Sequence, residues 1–104
     1  MEIATLSFDY FRSLSTAEKF MIGGQITRSA ISIPSNIAEG SSRQSQKDYY
    51  RFIEIAIGSS YELETQSLLS EAGKFGDAFL RKQILDLVIE EQKMLKGFAM
   101  KLKP

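Results

Sequence analysis

The side chains able to do chemistry in this sequence are carboxylates, amides, hydroxyls and cations, because it contains no histidine and no cysteine. That excludes zinc fingers, Cys–His and Ser-His-Asp nucleophilic sites, haem ligation by His or Cys, iron–sulfur clusters and the Glu-x-x-His di-iron site of helical bundles. The carboxylates do not fill the gap. Glu62 and Glu64 stand two apart and face different sides of a helix, and neither Glu54 with Glu62 nor Glu90 with Glu91 defines an acid–base geometry. Gly23-Gly24 lies inside a helical pattern and lacks the GK[ST] continuation of a phosphate-binding loop. The expectation is a non-enzymatic protein with no catalytic residue, metal or cofactor. The alternative from another class is a carboxylate- and metal-dependent enzyme built on Glu39 and Glu62.

Two polar patterns remain. Gln25, Arg28, Ser32, Asn36 and Glu39 recur at helical spacing, forming a polar row beside the apolar row Ile22, Ile26, Ala30, Ile33 and Ile37. Such a row is either a solvated face or a hydrogen-bonded network at a helix–helix or subunit contact, and Glu39 is placed to pair with Arg43. The second pattern is charge segregation. Arg28, Arg43, Lys47 and Arg51 face only Glu39 and Asp48 between residues 28 and 51, whereas Glu54, Glu62, Glu64 and Glu71 occupy a stretch without Lys or Arg. The four cations are candidate phosphate contacts, with Tyr49 or Tyr50 available to stack on a base. The competing reading pairs this basic segment with the acidic one, in the same bundle or a neighbouring copy. With 13 basic and 13 acidic residues the net charge is zero, so no global field draws in nucleic acid.

The elements that must position these residues are helices. Ile3, Leu6, Tyr10 and Leu14 form one stripe, widened by Phe8 and Phe11, and ending near Ser13-Leu14. Ser15 with Glu18 is a capping box opening a second helix. Its apolar stripe stays in phase across Pro34, so the helix is expected to kink there and continue to about Glu39, with serine hydroxyls or water taking the freed carbonyl. Gly40 is expected as the left-handed residue that ends it. Ser45 caps a third helix running to about Ala72, with Tyr49, Phe52, Ile53, Ala56, Ile57, Leu63 and Leu68-Leu69 as its apolar set. Gly73-Lys74-Phe75-Gly76 breaks the chain, and Asp77 caps a fourth helix with Leu80, Ile84, Leu87, Leu95, Phe98 and Leu102 inside.

Residues 1–104 thus read as a single all-α domain, an up-down-up-down antiparallel four-helix bundle with a proline-kinked second helix. The third helix carries more apolar residues than one stripe needs, which predicts self-association. There is no apolar run near the ~18 residues of a membrane span and no basic-then-apolar leader, so a cytoplasmic protein is expected.

The stretch from Gln25 to Gly40, QITRSAISIPSNIAEG, followed by Arg43, closely resembles the signature of the 23S rRNA intervening-sequence protein family. Phe52 to Leu63, FIEIAIGSSYEL, resembles its second block. The resemblance implies a four-helix bundle that assembles into a ring-like homopentamer, encoded within insertions in bacterial rRNA genes, with RNA or another nucleic acid, or a protein, as partner. By position, Gln25, Arg28, Ser32, Pro34, Asn36, Glu39, Arg43, Gly58, Ser59 and Glu62 fall on the signature, with Gly58-Ser59 implied to permit close helix approach.

Overall fold

A computed structural model describes all of residues 1–104 and contains helices and no strand. Helix α1 spans Glu2–Ser13. Helix α2 covers residues 16–41 in three continuous pieces, an α turn Thr16–Glu18, a π turn Lys19–Gly23 and an α-helix Gly24–Ser41. Helices α3, Gln46–Ala72, and α4, Ala78–Leu102, complete the bundle. Packing runs in a ring: α2 against α3, α3 against α4, and α1 closing the gap between α2 and α4. The body is elongated, 44 × 19 × 18 Å.

The starts of the helices follow local chemistry. Ser15 and Glu18 form the reciprocal capping box. The Ser45 hydroxyl accepts from the Asp48 amide, and the Asp77 carboxylate accepts from the Leu80 amide. Each satisfies amides that the first helical turn leaves without an intrahelical acceptor.

The interior of α2 departs from the expectation in three ways. Where Gly23-Gly24 weakens the ladder, one turn widens to π geometry rather than breaking, and the stripe continues through Ile22, Ile26, Ala30 and Ile33, all buried. Pro34 lies inside the helix, which runs on to Ser41. The serine hydroxyls do not reach the carbonyl of Ala30 that Pro34 leaves free; Ser32 bonds to Ser59 instead. Gly40 is helical and not left-handed, because the helix continues past it to Ser41. Its glycine is required by proximity: a Cβ there would lie 2.9 Å from Phe52 Cβ and from Tyr49 Cδ1.

The core also corrects the outer helices. Inside α1, Ser7 joins Ile3 and Tyr10, while Phe8 turns outward. In α3 the buried positions are Ile53, Ala56, Ser59, Ser60, Leu63, Ser67 and Ser70, and Leu68 and Leu69 lie outside. In α4, Ile84, Val88, Gln92, Leu95 and Ala99 are buried, and Phe98 is displaced to the margin, edge-on to Tyr49 at 5.3 Å. Period alone overestimates how many apolar residues face inward, since serine and glutamine also take core positions: Ser60 bonds within its own helix and Gln92 across to α3, while Ser70 Oγ is buried without a partner.

The end of α1 clamps the α3–α4 turn. Tyr10 Oη donates to the Phe75 carbonyl at 2.7 Å, and Ser13 Oγ accepts from the Asp77 amide at 3.0 Å. Gly76 adopts φ +62° between them, where a Cβ would meet Leu14 Cδ2 at 2.7 Å.

The two kinds of helical glycine should separate in denaturation. Gly97 has open space at its Cβ position, so Gly97→Ala should raise stability by about 0.5–1 kcal/mol through helix propensity. Gly40→Ala gains the same propensity but overpacks the α2–α3 contact, and should lower stability by about 1 kcal/mol or more net. Urea titration by circular dichroism measures both.

Candidate functional site

Most of the polar row of α2 meets the second signature block on α3. Ser32 Oγ and Ser59 Oγ lie 2.7 Å apart across the helix pair. Asn36 Nδ2 reaches back one turn and donates to both the Ser32 carbonyl, at 2.8 Å, and Ser32 Oγ, at 2.9 Å. With Asn36 as donor, the Ser32 hydroxyl is free to give its own proton to Ser59. The row is therefore a hydrogen-bonded inter-helix contact in its middle part.

Beside that contact lies a polar cleft of about 140 Å³, lined by Gln25, Arg28, Ser29 and Ser32 of α2 and Glu62 and Gln66 of α3. Its groups are incompletely paired. Arg28 and Glu62 share the cleft but form no ion pair, and Gln66 Oε1 is buried without a hydrogen-bond partner. A buried amide oxygen without a donor costs roughly 1–3 kcal/mol, and Ser70 Oγ and Glu91 Oε2 are buried without a partner elsewhere. The cleft opens onto a broader shallow surface bounded by Gly58, Tyr61, Thr65 and Leu69. Nothing lies within 4 Å of where a Gly58 Cβ would be, so Gly58 serves no close approach between helices of one chain and leaves that surface flat. Ser29 and Gln66 were not singled out from the sequence, although Gln66 follows Glu62 by one helical turn and Ser29 adjoins Arg28.

The remaining candidates lie elsewhere. Glu39 pairs with Arg43 at 3.3 Å, and the Arg43 guanidinium lies 4.8 Å over the Phe52 ring. Lys47 and Arg51 are exposed and hold no carboxylate. Arg28 is removed from Arg43 by ~22 Å of helix axis, so the four cations do not form one cluster. Glu39 and Glu62 point to opposite sides of the Ser32–Ser59 level, about 15 Å apart along the bundle, and do not converge on one ion. No group of three or more acidic side chains could hold a metal. Tyr49 and Tyr50 are packed against the core rather than presented for stacking, and burial with the neighbouring Glu54 pushes the Tyr50 phenol up. The one perturbed carboxyl is Glu91, raised mainly by burial, and it lies on α4 away from the cleft. The clefts present charge and hydrogen-bonding groups: Arg28, Glu62, Gln25 and Gln66 in one, Asn36 and Glu39 in another.

Among known families, the model described as 23S rRNA-intervening sequence protein matches residues 1–97 of this chain. No curated protein matches it.

The Ser32–Ser59–Asn36 contact should behave as one unit. Ser32→Ala leaves the Ser59 hydroxyl without its partner, while Asn36 keeps the Ser32 carbonyl, and should cost about 1–3 kcal/mol. Ser32→Ala with Ser59→Ala should cost less than the sum of the single changes, by about 0.5 kcal/mol or more, in a double-mutant cycle read by urea unfolding.

Proposed function

The chain belongs to the 23S rRNA-intervening sequence protein family, and from that premise we propose that it is a non-enzymatic, self-associating four-helix scaffold of the cytoplasm. The observation that carries this reading is the outer face of α3. Ile55 is 44% exposed, Tyr61 42%, Leu68 46% and Leu69 58%, on a helix whose inner face is already packed by α2 and α4. A helix apolar on two faces has a second surface to bury, and clustered exposed apolar residues mark contact sites. A ring of five copies is the assembly that the family resemblance implies. No helix is long and apolar enough to cross a membrane.

A specific observation also supports a nucleic-acid surface at the other end of the scaffold. Arg43, Lys47 and Arg51 sit at the α2–α3 turn, and the Gln46 side chain bonds the Leu102 carbonyl at 3.0 Å, which brings the Lys101 and Lys103 segment of α4 to the same end. Repetition of this basic end around an assembly multiplies weak phosphate contacts, so a chain of zero net charge can still bind RNA by avidity.

Light scattering on a sizing column should give a defined multiple of the 11.7 kDa chain mass at micromolar concentration. Leu69→Arg should shift it toward the monomer, and a wild-type monomer would overturn the scaffold reading. Titration with structured RNA should show binding that weakens with added salt and is lost in Lys47→Ala/Arg51→Ala. Absence of binding at low salt would overturn the RNA reading and leave the scaffold.

A further inference from the structure

The last three turns of α4 are chemically unlike the rest of that helix. Residues 92–103 carry four lysines and no carboxylate side chain, and none of the four holds an ion pair. The preceding turns are acidic on the same side, where Asp86 pairs with Lys82 at 2.7 Å and Glu90 stands exposed one turn further on. Large apolar side chains project among the lysines: Met100 is 77% exposed and Met94 63%.

Helical geometry gathers these residues on one ridge. Leu95 and Ala99 face the core, and with about 100° between successive residues the side opposite them is centred on Gly97. Nothing lies within 4 Å of where a Gly97 Cβ would be. Lys93 and Lys101 lie one turn to either side of Gly97 along the crest, and Met94 and Met100 flank it to left and right. Lys96 sits on the shoulder, its Nζ 4.8 Å over the Tyr61 ring of α3. The crest is therefore a bare glycine framed by two lysines and two methionines over about 12 Å of helix.

The shape selects the partner. A helical peptide or a protein anchor needs a hollow, and the five principal hollows are all lined by residues of the chain before α4. An RNA strand would use the lysines but leave the methionines without apolar company, and Phe98, beside the crest, is turned edge-on to Tyr49 rather than free to stack on a base. A phospholipid layer offers a convex ridge both anionic headgroups and the acyl carbon beneath them. We infer that this ridge rests on an anionic phospholipid bilayer, with Lys93 and Lys101 on headgroup phosphates and Met94 and Met100 entering the interfacial layer between them. Gly97 lets the helix backbone come down onto the surface. Each lysine near such a surface contributes about fivefold to partitioning. The molecule lies on the bilayer and does not cross it. Each chain carries the ridge complete, so the contact does not depend on self-association.

Sedimentation with vesicles of phosphatidylglycerol and phosphatidylcholine in equal parts tests the contact. The chain should bind them, bind pure phosphatidylcholine at least about tenfold more weakly, and be released by added salt. Lys93→Gln/Lys101→Gln should weaken binding by about tenfold or more. Met94→Gln/Met100→Gln leaves the charge untouched and should weaken it by about threefold or more. All four positions are exposed, so urea unfolding of both variants should match wild type. Failure of the wild-type chain to bind the mixed vesicles, or binding that neither pair of substitutions moves, would overturn the inference. So would structured RNA bound through Lys93 and Lys101 with the vesicles left unbound, which would make the ridge a phosphate contact for RNA. Self-association, read separately by light scattering, stands or falls on its own.

Discussion

Helix α3 buries serine and exposes leucine, and the rest of the molecule is arranged around that inversion. It is the only helix with heavy packing on both flanks, against α2 and against α4. Its inner stripe combines Ile53, Ala56 and Leu63 with Ser59, Ser60, Ser67 and Ser70, small residues that let two neighbours come close at once. Two of the four hydroxyls have partners in the bundle, and Ser70 Oγ is buried without one. Ser60 donates to the Ile57 carbonyl in its own helix at 2.6 Å, and Ser59 bonds to Ser32 of α2. On the other flank buried Gln92 of α4 donates to the Ser60 carbonyl and to Glu64. These bonds fix register, since a buried polar group costs less only where its partner stands.

Small residues inside leave the large apolar residues of α3 outside. Burying a side chain of the size of leucine is worth about 1.5–3 kcal/mol. A chain that leaves Leu68 and Leu69 exposed forgoes that gain within its own bundle. The same inversion explains the location of the polar signature. Ser32, Asn36 and Ser59 hold α2 to α3, and one turn further Arg28 and Glu62 line a cleft without forming an ion pair. The interior contact and the open cleft are two ends of one helix–helix seam.

Much of this was legible in the residues, and the division between what was and was not has a physical cause. Ser15-Glu18, Ser45 and Asp77 mark helix starts correctly because a cap is settled by side chains within three residues of the backbone amides they bind. The stripe Ile22, Ile26, Ala30 and Ile33 reads correctly for the same reason of local period. Gly40 misleads because glycine answers two different demands, a left-handed turn or a close neighbour, and only the position of Phe52 distinguishes them. Leu68, Leu69 and Phe98 mislead because amphipathic period assigns one face to the core, whereas α3 has two flanks and serves both with short side chains. The polar row was visible as a row. Its division into a closed network at Ser32 and an open cleft at Arg28 depends on which α3 side chains stand opposite, which spacing along α2 does not encode. The cations read as one group because they are close in sequence; the rise of an α-helix places Arg28 far from Arg43.

The chain has no cysteine, so a single engineered thiol reports directly on whether the outer face of α3 is covered. Thr65→Cys places it on the surface shared by Tyr61 and Leu69, and Lys82→Cys on exposed α4 serves as a reference. Maleimide labelling at position 65 should slow as protein concentration rises and recover on dilution, while labelling at position 82 stays constant. Equal, concentration-independent labelling at both positions would contradict a scaffold that closes on this face.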